Sequence, residues 1–186
     1  MREKLKFFQE LNPQNKCEVL SENYDIAIAL ETISLSEHSP GIVTPLESVA
    51  RMIFSPLHIE EDGTIKASAF SDVKDKGLSV HRLKFIEGKE LEYLGETMAS
   101  KANEAGRTKR DYLGYVKAHT EEVHQLTGDE KRLFCVYDTA NEAEMSHADI
   151  CAVSLDEQKN PKLSKRVANK SRRKRLQKLF STLVTH

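Results

Sequence analysis

Residues 57–82 read LHIEEDGTIKASAFSDVKDKGLSVHR, and reactive side chains lie closer to expected ordered backbone here than anywhere else in the chain. Asp62-Gly63 is a turn signal, because glycine accepts positive φ and aspartate can bond its own backbone two residues on. Residues 64–70 (TIKASAF) follow as an expected strand, and a second strand starts at Leu78 and carries Ser79, His81 and Arg82. On a strand, Ser79 and His81 share one face and Arg82 takes the other. Just upstream, Thr44-Pro45-Leu46-Glu47 has the form of a helix start. Thr44 is the cap, Pro45 suits the first helical position, and Glu47 closes a capping box. Leu46, Val49, Ala50 and Ile53 then make an i, i+3, i+4, i+7 stripe, so a helix ending at Ser55-Pro56 is expected.

Downstream, residues 90–105 read as a helix with Leu91, Leu94, Met98 and Ala102 on one side and Gly106 as its terminating residue. Residues 112–119, 132–139 and 147–155 read as strands, and residues 120–126 fit either a helical turn or a strand continuation. Upstream, residues 2–11 make a short helix, and residues 17–36 look β-rich because isoleucine and alanine alternate in YDIAIAL. Residues 1–40 are read as a helical and β-rich attachment, or else as part of the core; residues 41–160 are the core, and residues 161–186 are a long helix. The expected fold is α+β, with a mixed or mainly antiparallel central sheet, three to four helices and a long basic C-terminal helix.

The chain has 186 residues, enough to bury a core without staples. Its 28 basic and 29 acidic residues nearly balance, but nine of the basic ones fall in residues 162–186, where there is no Asp or Glu. The remaining 19 basic residues face 29 acidic ones, so an acidic body carries a basic tail. No apolar run approaches a membrane span, and the first residues lack the apolar stretch of a secretory signal, so a cytoplasmic location without a membrane partner is expected. Three cysteines without metal-type spacing fit reduced thiols. No glycine-rich phosphate loop and no G-x-S-x-G elbow is present, and no cofactor or metal is expected.

His147, Asp149 and Cys151 share one strand face, where histidine and aspartate can pair as a base and its orienting carboxylate, or ligate a metal with cysteine. The same pattern also fits a mildly polar outer face. His119 and His124, five apart, do not share a face and read as solvent-facing. Ser79 and His81 form a possible nucleophile–base pair. His58, Ser79, His81, His147 and Asp149 are therefore the candidate catalytic residues. Arg51 and Arg82 are candidate phosphate ligands, with surface pairing to acidic neighbours as the simpler account. In the basic helix, Lys165, Arg166, Lys170, Arg172, Arg173, Lys174, Arg175 and Lys178 are candidate nucleic-acid contacts. Leu176, Leu179, Phe180 and Leu183 form its docking stripe. The same charge suits RNA or DNA phosphates, an acidic protein, a second copy of the chain, or plain solvent. Few aromatic residues accompany it, so base-specific readout is not expected.

The pattern HIEEDGTIKASAF, then GLSVHR, then SHADI at residues 146–150 resembles small uncharacterised bacterial proteins with a His…Asp-Gly…Ala-Phe…Leu-Ser-Val…His-Ala order. The likeness spans a third to a half of the chain, implies a bacterial or phage cytoplasmic protein, and implies no activity. It draws attention to His58, Phe70, Ser79 and His147. Three functions follow as expectations. The leading one is a nucleic-acid-associated accessory protein working through the basic helix, in a defence or toxin–antitoxin setting. The second is a small enzyme acting on a nucleotide or phosphodiester by histidine acid/base chemistry. The third is an interaction module for an acidic partner.

Overall fold

The computed structural model describes residues 2–128, 130–154 and 165–185; expectations that fall on residues 155–164, or on the side chains of Lys165 and Arg166, lie outside the described residues. The chain opens with three short helices, α1 (Arg2–Gln9), α2 (Lys16–Glu22) and α3 (Tyr24–Leu30). Strand β1 (Ser48–Ser55), a 3-10 helix (Ala67–Lys74), strand β2 (Leu78–Arg82) and helix α4 (Gly88–Glu104) follow. Next come β3 (Asp111–His119), α5 (Thr120–His124), the two-residue strands β4 (Thr127–Gly128) and β5 (Lys131–Arg132), β6 (Phe134–Asp138) and β7 (His147–Ala152). Helix α6 (Lys165–Leu179) and strand β8 (Leu183–Val184) close the described chain.

Six strands form one sheet in the order β6-β7-β2-β1-β3-β8, with every neighbouring pair antiparallel. The fold is α+β. One face of the sheet presents Val49, Ile53, Val80, Val116 and Ile150 to Phe70 and Val73 of the 3-10 helix and to Leu176 of α6 with Phe180 just beyond it. Each such side chain, fully buried, contributes about 1.5–3 kcal/mol. The opposite face is covered in two blocks. Helix α4 packs Leu91 and Ala99 on Ala50, Met52 and Phe54 of β1. Helices α2 and α3 pack Cys17, Leu20, Ala27 and Leu30 on Cys135, Tyr137 and Cys151. Between the two blocks runs β2, with the His147 end of β7 beside it. Leu78, Val80, Ala148 and Ile150 belong to the first face, so alternation turns Ser79, His81, His147 and Asp149 to the second. No helix among the described residues is long and apolar enough to cross a membrane.

Several expectations are corrected. The expected helix after Thr44 is strand β1. Glu47 Oε1 does accept from Thr44 N and Oγ1, at 3.1 and 3.2 Å, but within a turn rather than a helix start. Strand β1 lies inside the sheet with both faces covered, and a doubly buried strand has apolar residues on both sides. Such a run contains a helical stripe by coincidence. The β-rich reading of residues 17–36 is replaced by α2 and α3, where Cys17, Leu20, Ala27 and Leu30 bury at helical spacing. Alternating isoleucine and alanine are apolar on every side, so the pattern carried no period. Residues 64–70 hold only an Ile59–Ile65 bridge before the 3-10 helix, which buries Ala69, Phe70 and Val73. The described residues accordingly hold six α-helices and one 3-10 helix, more than the three to four expected.

Candidate active site on the β2–β7 ladder

The register of β2 with β7 sets Ser79 opposite Asp149 and His81 opposite His147. Within this ladder the Ser79 Oγ is 2.6 Å from His147 Nε2. The other ring nitrogen, Nδ1, is 2.9 Å from Thr139 Oγ1 and 3.2 Å from the Thr139 carbonyl oxygen. A carbonyl can only accept, so both contacts are satisfied by a proton on Nδ1. Nε2 then carries the lone pair and accepts the Ser79 hydroxyl proton. Both Ser79 and His147 are half-buried, while Thr139 follows directly on β6. The arrangement is a hydroxyl, a base within hydrogen-bond reach, and a third group that holds the base by its far nitrogen.

His81 stands edge-on to His147, with ring centroids 6.0 Å apart, and its Nδ1 is 3.4 Å from the Ser146 hydroxyl. Burial, then the His147 and Arg51 charges, push its pKa down to about 3. His81 is therefore a neutral ring at pH 7, unsuited to deliver a proton as an imidazolium. Asp149 does not orient His147. Its Oδ2 accepts from Lys16 Nζ at 2.7 Å, in a nearly buried pair that ties α2 to β7. Burial opposes the Lys16 charge, but the pull of Cys151 and then of Asp149, which also accepts its hydrogen bond, outweighs it and raises the pKa. Gly77, at φ +94°, brings the chain against this pair: a Cβ there would lie 3.1 Å from the Asp149 carboxyl carbon.

Arg51 reaches the ladder from β1. Strands β1 and β2 pair only through Val49–Arg82 and Ala50–His81, and beyond that point Arg51 Nη1 donates to the Ser79 carbonyl at 3.0 Å. Its Nε is buried without a hydrogen-bond partner, and Asp72 and Asp149 contribute the nearby negative charge. His58 lies just after β1, where its Nδ1 accepts from Phe54 N at 3.3 Å and its ring meets that of Phe54. Burial, then the Arg51 charge, lower its pKa to about 4.

Arg82 is elsewhere. It is 1 % exposed, and its guanidinium meets Glu47 at 2.8 and 2.9 Å, the Gly41 and Ile42 carbonyls at 2.6 and 3.0 Å, and Asp138 at 3.5 Å. Those contacts engage its donors in joining β2 to the 41–47 turn and the end of β6. Burial pushes Glu47 up, but the Arg82 bond and charge, with Thr44, hold its carboxyl below the usual range. Of the candidate site residues, the structure thus gathers Ser79, His81, His147 and Asp149 on one face, brings Arg51 to the Ser79 backbone from the other face, and separates Arg82. His58 touches the group only through the field of Arg51. Thr139 and Lys16 carried no sequence signal, since Lys16 meets Asp149 across 133 positions of chain.

A cavity of about 720 Å³ opens beside the ladder, between α1, residues 34–38 and Thr139-Ala140. Lys16 and Thr139 are part of its lining, so it reaches the groups that hold Asp149 and His147. Among the described residues, no three His, Cys, Asp or Glu side chains gather where they can share a metal ion.

On α6 the basic residues divide. Lys170, Lys174, Arg175 and Lys178 are exposed, and Arg175 donates to the Thr127 carbonyl at 3.0 Å. Arg173 donates to the Asn169 carbonyl at 3.3 Å. Arg172 is 2 % exposed and donates to Asn169 Oδ1 at 3.0 Å, so its charge turns inward beside Leu176 and Phe180. Among the described side chains, exposed positive charge lies as a stripe at i, i+4, i+8 through Lys170, Lys174 and Lys178, with Arg175 beside it. A scan against protein-family models, a search of curated proteins and a search of solved structures each returned no significant match.

Proposed function

We propose that the protein is a small enzyme acting on a nucleotide or phosphodiester, with Ser79 as nucleophile and His147 as its acid/base. The observation that supports this reading is the Ser79–His147 contact with the far ring nitrogen anchored on Thr139. The Ser79 oxygen attacks phosphorus and gives its proton to Nε2 of His147. The bond from phosphorus to the leaving oxygen breaks, and His147 returns the proton to that oxygen. A water then gives a proton to the same nitrogen and attacks phosphorus, the bond from phosphorus to the Ser79 oxygen breaks, and His147 returns the proton to that oxygen. Arg51, bonded to the Ser79 carbonyl from the other face of the sheet, holds the backbone that carries the nucleophile. His81 packs the base in place. The test is turnover of bis(p-nitrophenyl) phosphate and p-nitrophenyl phosphate by the protein and by Ser79→Ala and His147→Gln. Each substitution is expected to lower kcat by about 10²–10⁴-fold at unchanged melting temperature. Equal turnover by all three proteins would overturn the assignment.

A second reading, association with RNA or DNA, rests on the Lys170, Lys174 and Lys178 stripe, to which no carboxylate among the described residues is ion-paired. It grips phosphates without reading sequence and is compatible with the enzyme.

A further inference from the structure

The cavity beside the ladder has two chemically distinct sides. Leu5, Phe8, Leu11 and Leu35 make an apolar wall, and Lys16 and Thr139 form the side that meets the candidate site. The Lys16 ammonium lies 5.6 Å from the centre of the Phe8 ring and 2.7 Å from Asp149. One of its three N–H groups serves Asp149, which leaves two for another acceptor. The volume, about 720 Å³, falls within the range of about 300–1,000 Å³ typical of small-molecule sites and exceeds what one planar ring with a sugar and a phosphate requires. It is bounded by α1 and the 34–38 segment, which suits a discrete molecule rather than a polymer strand.

We propose that this cavity is the substrate-binding site and that it takes a mononucleotide, with its base on the apolar wall beside Phe8 and its phosphate at Lys16. This rests on the enzyme proposed above and narrows its substrate from nucleotides and phosphodiesters to a small nucleoside phosphate. Thr139 links the two parts: it lines the cavity and its oxygens hold His147, so a ligand seated there lies one residue from the base. Glu37 and His38, which pair at 3.7 Å, also line the cavity, and Glu37 disfavours a second anionic group near it.

The test uses methyl NMR of the leucine-labelled full chain titrated with adenosine 5′-monophosphate, adenosine and inorganic phosphate. The monophosphate is expected to shift the Leu5, Leu11 and Leu35 methyls at sub-millimolar concentration. Adenosine should shift the same methyls about tenfold more weakly, for want of the charged hydrogen bonds to Lys16. Inorganic phosphate should leave these methyls in place. Phe8→Ala should weaken the monophosphate about tenfold, and Lys16→Met should abolish its advantage over adenosine. Absence of shifts at those methyls at millimolar monophosphate overturns the proposal, and the titration of the unaltered chain decides this even if a variant folds poorly. Shifts in the cavity without Ser79-dependent turnover would leave this site standing and remove the enzyme reading. Turnover that needs Ser79 and His147, with the cavity methyls undisturbed, would do the reverse.

Discussion

Removing the Arg82 guanidinium would leave Glu47 and Asp138 buried without their cation. Arg82→Met is therefore expected to cost about 3–5 kcal/mol, because an uncompensated buried charge is far worse than an absent pair. Urea unfolding measures it, and a loss below 1 kcal/mol (roughly that of a surface pair) would contradict the geometry. Acid acts on the same scale of single side chains. The folded pKa values of His58 and His81 lie near 4 and 3, below the unfolded value of 6.5. Between those values the unfolded chain binds protons that the folded chain refuses, so stability is full above pH 6.5 and falls as pH drops. By pH 5 the loss is up to about 2 kcal/mol for each histidine. Glu47 and Glu31, whose folded carboxyls are held low, lose stability further into acid, below the unfolded carboxylate range. Thermal melts from pH 7 to pH 4 should show a steady fall, and His81→Gln should flatten its upper part. Ser79, His81, His147 and Asp149 could be singled out in sequence because alternation places each pair on one strand face. Their partners Thr139 and Lys16 could not, since those contacts depend on which strands and helices become neighbours.

Helix α6 joins two roles on one element. Leu176 and Phe180 dock it on the 3-10 helix and the sheet, while Lys170, Lys174 and Lys178 face outward. Leu176→Ala should cost about 2–5 kcal/mol and leave nucleic-acid retention per folded molecule unchanged. Charge reversal at Lys170, Lys174 and Lys178 should do the opposite: the melting temperature holds, and retention on heparin or RNA at low salt drops with a shallower salt dependence. Retention that survives the triple reversal would remove the phosphate-gripping reading. The inward course of Arg172 was not legible in the basic run, because a helix made mostly of Lys and Arg has no obvious face until its docking residues are set against a partner. Strand β1 went the other way. The Glu47 carboxylate does bond back to Thr44 just before it, yet the chain continues extended, since two layers stand ready to bury both of its sides.

For the molecule as a whole, the first three helices seal one end of the sheet, over Cys135, Tyr137 and Cys151. Glu31 at the end of α3 adds bonds to His124, Arg132 and the Val136 amide. Deleting residues 2–38 is expected to expose that apolar surface and to remove Lys16 from Asp149. The shortened chain should bind a hydrophobic dye and lose its cooperative melt; a sharp transition near that of the full chain would show that the remainder folds alone. By itself the amino-acid order determined the α+β class, helix α4 and strand β3 with their boundaries nearly right, and the shared faces of Ser79 with His81 and His147 with Asp149. These depend on local periodicity and turn chemistry, which act over a few residues. The tertiary structure alone decided that β1 is a strand, that residues 16–22 and 24–30 are helical, that Arg82 is consumed inside the fold, and that Ser79 meets His147. Those outcomes turn on which surfaces are buried against each other, and burial outweighs the small intrinsic preferences of any one segment.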